Sequence, residues 1–133
     1  MPHAFLCRTC GVDLSDFLLE TSNLLKRDAA MVHRGFFVRV HETISKQDLL
    51  AVKFLDGKGE MVMVQPGDFL LNVEDLRHEM LPSAYFGCCG YQGGPEANAV
   101  CPNGHPVATI HSDCWHASVA RLIGSAVECV ALD

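Results

Sequence analysis

A Cys7-x-x-Cys10-Gly11 segment near the start of the chain constrains it more than any other feature. This spacing lets two thiolates face one tetrahedral ion. Backbone amides turn toward the sulfurs, and the trailing glycine relieves the steric demand of the turn. Such a segment supplies only half of a structural site, which is closed by four protein ligands. Any fold for the chain must therefore bring distant residues back to residue 7.

Composition decides how the thiols are read. The 133 residues carry 10 Lys+Arg against 16 Asp+Glu, a net charge of -6, with 49% hydrophobic residues. Such a chain can build a sizeable core and is not disordered, and one zinc-binding domain spanning 1–133 is expected. The acidic balance argues against a nucleic-acid or anionic-membrane surface. No apolar run approaches the ~18 residues needed to cross a bilayer. The opening Met1-Pro-His-Ala-Phe-Leu-Cys7 has neither the charged nor the apolar region of a signal peptide, so a cytoplasmic location is expected. Seven cysteines in a reducing compartment point to metal binding or thiol chemistry, and an odd number leaves a thiol over in any disulfide scheme. With no βαβ unit around it, Cys7-x-x-Cys10 reads as a metal knuckle in preference to a redox pair.

The missing ligands must come from Cys88, Cys89, Cys101, His105 or Cys114. Cys101-Pro102-Asn103-Gly104-His105 looks like a second knuckle with Gly104 where a second cysteine would sit, so His105 can stand in at Cys-x3-His spacing. Alternatively, Cys101 and one of the vicinal cysteines complete the site. In an extended loop adjacent side chains point to opposite sides. Cys89 is then the preferred ligand of the two, because Cys89-Gly90 repeats the Cys-Gly ending of the first knuckle. The expected ligand pool is Cys7, Cys10, Cys89, Cys101 and His105, around zinc.

Other clusters carry less. His111-Ser112-Asp113-Cys114-Trp115-His116 places Cys114 and His116 on one face of an extended segment. A buried, inert Cys114 beside a core Trp115 is the preferred reading over catalysis. Gly87-x-x-Gly90-x-x-Gly93 follows no βα unit and is not read as a phosphate loop. His41-Glu42 lacks the second histidine of a helical zinc-protease motif. The His-x-Glu and Pro-Cys-x-x-Cys of a zinc deaminase are absent. Cys129 alternates with apolar neighbours and reads as structural, while His3, His33 and His78 read as solvated.

The remaining pattern is mainly β. Aromatic and β-branched residues predict strands at 35–40, 68–72, 98–101, 106–112, 117–123 and 126–132. Apolar runs at 49–55 and 60–64 flank Asp56-Gly57-Lys58-Gly59 and predict a hairpin. Leu14, Phe17 and Leu18 have the spacing of a helical turn. Val73–Met80 predicts a short helix with Asn72 as N-cap and Glu74 and Asp75 in its first turn. The fold class expected is thus mainly β (α+β), short antiparallel strands with one small helix.

Together, Cys7-x-x-Cys10-Gly11, Gly87-Cys88-Cys89-Gly90, Cys101-x-Asn103-Gly104-His105 and Asp113-Cys114-Trp115 resemble a group of small bacterial zinc-knuckle proteins. More distantly, two separated knuckles holding one zinc above antiparallel strands look like the zinc-ribbon or β-tent layout. That layout is shared by methionine sulfoxide reductases and the thalidomide-binding domain. The chain departs from them in having no clear Arg-x-Cys-x-Asn element and a single tryptophan, Trp115. The resulting expectation is a small cytosolic protein with structural zinc, acting as a protein-interaction module of the immunity or adaptor type. The alternative is a thiol-dependent enzyme or redox switch using Cys88, Cys89 or Cys114.

Overall fold

A computed structural model describes residues 2–22, 32–40, 67–80, 97–111 and 119–132. The described strands are β1 (Pro2–Cys7), β2 (Leu18–Glu20), β3 (Phe36–Arg39), β4 (Phe69–Leu71), β5 (Ala99–Val100), β6 (Pro106–His111), β7 (Val119–Leu122) and β8 (Val127–Ala131). They form one eight-stranded sheet in the order β5-β6-β7-β4-β3-β2-β1-β8. Every pairing is antiparallel except β2 with β3, where Leu19 and Glu20 run alongside Phe36 and Phe37. The mainly β expectation holds, with this parallel pair as the departure from an all-antiparallel layout.

Register explains how the sheet makes a core. Pairing aligns Phe37, Leu71, Ala120 and Ile110 in one row across β3, β4, β7 and β6, and Phe69, Leu122 and Ala108 in the next. Because side chains alternate along a strand, both rows share a face. The Phe5 ring of β1 meets Phe37 and Phe69 edge-on, with centroids 5.0 and 4.9 Å away. Edge-to-face aromatic pairs of this kind add about 0.5–1.5 kcal/mol each beyond their burial. β1 lies far from β4 in strand order, so the contact of Phe5 with Phe69 requires the sheet to curl over its own apolar face.

The reverse face of the central strands is buried too. Val38, Leu70, Arg121 and Thr109 are aligned in register across β3, β4, β7 and β6, and all four are buried. Arg121 is accommodated in this row because its guanidinium donates to Asp68 at 2.9 Å and to Thr109 at 3.1 Å. The other Asp68 oxygen accepts the Gly124 amide at 3.0 Å. A buried charge survives only when it is paired and hydrogen-bonded in this way.

Two expectations change in detail. Residues 14–18 are extended: Leu6 bridges to Asp13, Ser15 bridges to Leu76, and β2 begins at Leu18. A helical turn would carry Leu14, Phe17 and Leu18 inward together. The extended backbone buries Leu14 and Leu18 and leaves Phe17 69% exposed. The short helix at 73–80 is two 3₁₀ turns, Val73–Asp75 and His78–Met80. Asn72 does cap the first, accepting the Glu74 amide at 2.9 Å. Asp75 faces back to accept the Gly35 amide at 2.8 Å, and the Arg77 amide donates to Leu14. The second of these bonds takes the Arg77 amide, a backbone donor that a continuing α-helix would use internally.

The strands expected at 35–40, 68–72, 98–101, 106–112, 117–123 and 126–132 are present within a residue or two of those bounds. The hairpin at 49–64 and the Gly87-x-x-Gly90-x-x-Gly93 segment lie outside the described residues. Among the described residues, no helix is long and apolar enough to cross a membrane.

Candidate metal centre

Two short loops meet where the sheet curls. The first follows β1. The Cys7 carbonyl accepts the Gly11 amide at 2.7 Å, and the Cys7 amide donates to Val12 at 2.9 Å. Gly11 sits at φ 76, a left-handed conformation that a side chain disfavours. The Arg8 amide and guanidinium both anchor this loop to β8, donating to the carbonyls of Ala126 and Val127.

The second loop follows β5 and repeats the first with one residue fewer. The Cys101 carbonyl accepts the Gly104 amide at 2.8 Å, the Cys101 amide donates to His105, and Gly104 sits at φ 91. When the two loops are matched at their glycines, Asn103 falls in the place of Cys10. The role of second ligand passes to His105, one position beyond the glycine.

The four ligand atoms of Cys7, Cys10, Cys101 and His105 all lie within 4.8 Å of one another. Sγ of Cys10 and Cys101 are 3.7 Å apart. His105 Nδ1 is 3.3 Å from Cys101 Sγ and 3.8 Å from Cys7 Sγ. Tetrahedral zinc with its usual bond lengths places neighbouring sulfurs about 3.8 Å apart and sulfur and nitrogen about 3.6 Å apart. These separations suit a tetrahedral metal ion, with the widest pair of the four, up to 4.8 Å, having to draw closer. Nδ1 is the ring nitrogen that faces the sulfurs, which leaves Nε2 to carry the proton of a ligating imidazole. The 3.7 Å separation also distinguishes the thiol pair from a disulfide, whose sulfurs lie about 2.05 Å apart.

The surroundings favour anionic sulfur at two positions and resist it at a third. Cys10 is exposed, and its thiol is lowered to about 6, first by the hydrogen bond from the Asn103 side chain and then by the backbone at Val12. Burial is the largest influence on Cys101 and acts upward. The hydrogen bonds from the backbone at His105 and Asn103 outweigh it, so the thiol ends below its ordinary value. Burial pushes the Cys7 thiol up. The sulfurs of Cys101 and then Cys10 raise the His105 imidazole through hydrogen bonds. A divalent cation bound here would offset most of the charge of the three sulfurs and displace their protons.

The expected residues sort cleanly. Cys7, Cys10, Cys101 and His105 are brought together. Cys89, the fifth candidate, lies outside the described residues, as do Cys88, Cys114, Trp115, His116 and His41-Glu42. The side chain of His111 is likewise outside them. His33 and His78 are exposed, as expected. His3 instead stacks edge-on against Phe37 at 5.1 Å and is partly buried. Cys129 is half-buried, with burial raising its thiol despite Arg39 nearby. Asn103 was not among the expected site residues, yet its side-chain amide donates to Cys10 Sγ at 3.3 Å. The signal was present in Asn103-Gly104, which repeats the Cys10-Gly11 step when glycines rather than cysteines are matched. No protein family, curated protein or solved structure matches this sequence.

Proposed function

We propose that the chain is a zinc protein in which Cys7, Cys10, Cys101 and His105 hold one structural ion, and that the domain so fastened serves to recognise a protein partner. The observation that carries the metal reading is the convergence of four donor atoms within 4.8 Å from loops nearly a hundred positions apart. Four protein ligands close a tetrahedron and leave no position for a substrate or a reactive water, which is the arrangement of a structural site. The ion would join the loop after β5, at one edge of the sheet, to the loop after β1, beside the other edge. It would thus fasten the curl that encloses Phe5, Phe37 and Phe69.

The partner reading draws on two features. Phe17, Leu19 and Phe36 are exposed along the β2–β3 pair, with Leu19 and Phe36 in register. A net charge of -6 suits a basic target by charge complementarity.

Elemental analysis of the purified chain, with a count of reactive thiols under native conditions, tests the metal reading. One zinc per chain, with Cys7, Cys10 and Cys101 slow to alkylate, is expected. Cys10→Ser should lose the metal and cooperative unfolding together. A folded, metal-free variant with unchanged stability would overturn a structural role for the ion.

A further inference from the structure

We infer that the zinc centre has an oxidation site at Cys10, and that a hydroperoxide acting there exchanges the zinc clasp for a Cys10–Cys101 disulfide. The inference rests on the proposed zinc site and concerns what that site does when its sulfurs are oxidised.

The three sulfurs are not equivalent. Cys7 and Cys101 are each 1% exposed, whereas Cys10 lies on the surface. An oxidant approaching from solvent therefore meets Cys10 first, and oxidation of cysteine follows thiolate character and access. Zinc supplies the thiolate character by holding the sulfur deprotonated. Cys101 Sγ lies 3.7 Å from Cys10 Sγ and belongs to the other loop. A disulfide requires these two sulfurs to close to about 2 Å.

The chemistry balances with a hydroperoxide such as hydrogen peroxide as the only co-reactant. The Cys10 thiolate attacks a peroxide oxygen; the S–O bond forms, the O–O bond breaks, and hydroxide leaves with Cys10 as the sulfenic acid. The Cys101 thiolate then attacks the Cys10 sulfur; the S–S bond forms, the S–O bond breaks, and a second hydroxide leaves. Two thiolates have been oxidised by two electrons in all, the peroxide has been reduced by two, and the buffer protonates both hydroxides to water. Zinc retains only Cys7 and His105 and dissociates.

The product differs from ordinary metal loss. A chelator leaves the two loops joined only by contacts such as Asn103 to Cys10, whereas the disulfide ties them covalently, 91 positions apart. The oxidised, zinc-free chain therefore resists separation of the loops better than the reduced, zinc-free chain.

The test starts from the full zinc-loaded chain, with zinc per chain measured before any oxidant is added. Hydrogen peroxide is then titrated in, released zinc is followed with a chromophoric chelator, sulfenic acid is trapped with a dione reagent, and disulfides are mapped by peptide mass spectrometry. Zinc release in step with a Cys10–Cys101 linkage, with the trap found on Cys10 first, is expected. A Cys7–Cys10 linkage, first trapping on Cys7 or Cys101, or zinc retained after Cys10 is oxidised would overturn the inference. Absence of zinc at the outset would instead overturn the structural-zinc reading, and the mapped disulfide would still decide the pairing.

Discussion

Asn103 donates its side-chain amide to the sulfur of Cys10 across 3.3 Å, although 93 positions separate them in the chain. The contact joins the two loops without being a metal ligand. Asn103 occupies, in the shorter loop, the place that Cys10 holds in the longer one. It turns a ligand position into support for the ligand opposite.

Replacing that amide should therefore weaken the metal without removing it. Asn103→Ala is expected to lower zinc affinity by about 10–100-fold, the usual cost of losing a hydrogen bond to a ligand. All four ligands remain, so the stoichiometry should stay at one ion per chain. Competition against a chromophoric chelator measures the change, and an unaltered affinity would show that the Asn103 contact contributes nothing.

Acid should act on the metal-free chain through Cys10. Its thiol lies at about 6 in the folded protein against an ordinary 9.0. The folded state thus favours the thiolate. The stability this gives is fully present above the ordinary value and is lost as pH falls through about 6. Thiolate ultraviolet absorbance of the metal-free chain should show a low-pH step that Cys10→Ser lacks. Cys7 shifts the other way and should remain protonated across that window.

The paired charges behind the sheet make a prediction independent of the metal. Asp68→Ala removes the carboxylate paired with the buried Arg121 guanidinium and the acceptor of the Gly124 amide. Breaking such a buried pair from one side costs about 3–5 kcal/mol. Denaturant unfolding should register this loss, while the zinc content of whatever remains folded should be unchanged.

Gly124 is fixed by space rather than by its dihedral angles. A Cβ there would collide with the backbone of Gly67. Gly124→Ala must push two chain segments apart, and overpacking of this kind costs about 1–3 kcal/mol. Gly11 and Gly104 have open space around the same position, so their alanine variants should fail through φ strain in the metal loops. A zinc titration separates the two effects: Gly124→Ala should keep its affinity while Gly104→Ala loses it.

What could be read from the sequence follows from the range of the interactions involved. Strands such as 106–111 and 127–131 announce themselves through β-branched and apolar side chains that pack locally on a pleated surface. The cysteines and His105 were legible because few other chemistries use them at that spacing. Leu14, Phe17 and Leu18 were misleading, because helical spacing over five residues is also met by an extended segment that turns one of them to solvent. The choice was made by distant partners, Leu76 and Arg77, that no local pattern encodes. Arg121 was silent for the same reason: its neutraliser, Asp68, belongs to another strand's edge. Asn103 was legible only through the likeness of the two loops.

The position of β1 between β2 and β8 has a consequence for synthesis. β1 emerges from the ribosome before any other described strand, yet its long partner pairs Ala131 with His3 and Val127 with Cys7. Its first two sulfurs likewise wait for Cys101 and His105. Until the last stretch is made, the nascent chain presents a half-paired apolar strand ending in two unengaged thiols. The interval of translation between Cys10 and Cys101 is thus the period in which premature metal capture, mispaired strands or a chaperone would compete for it.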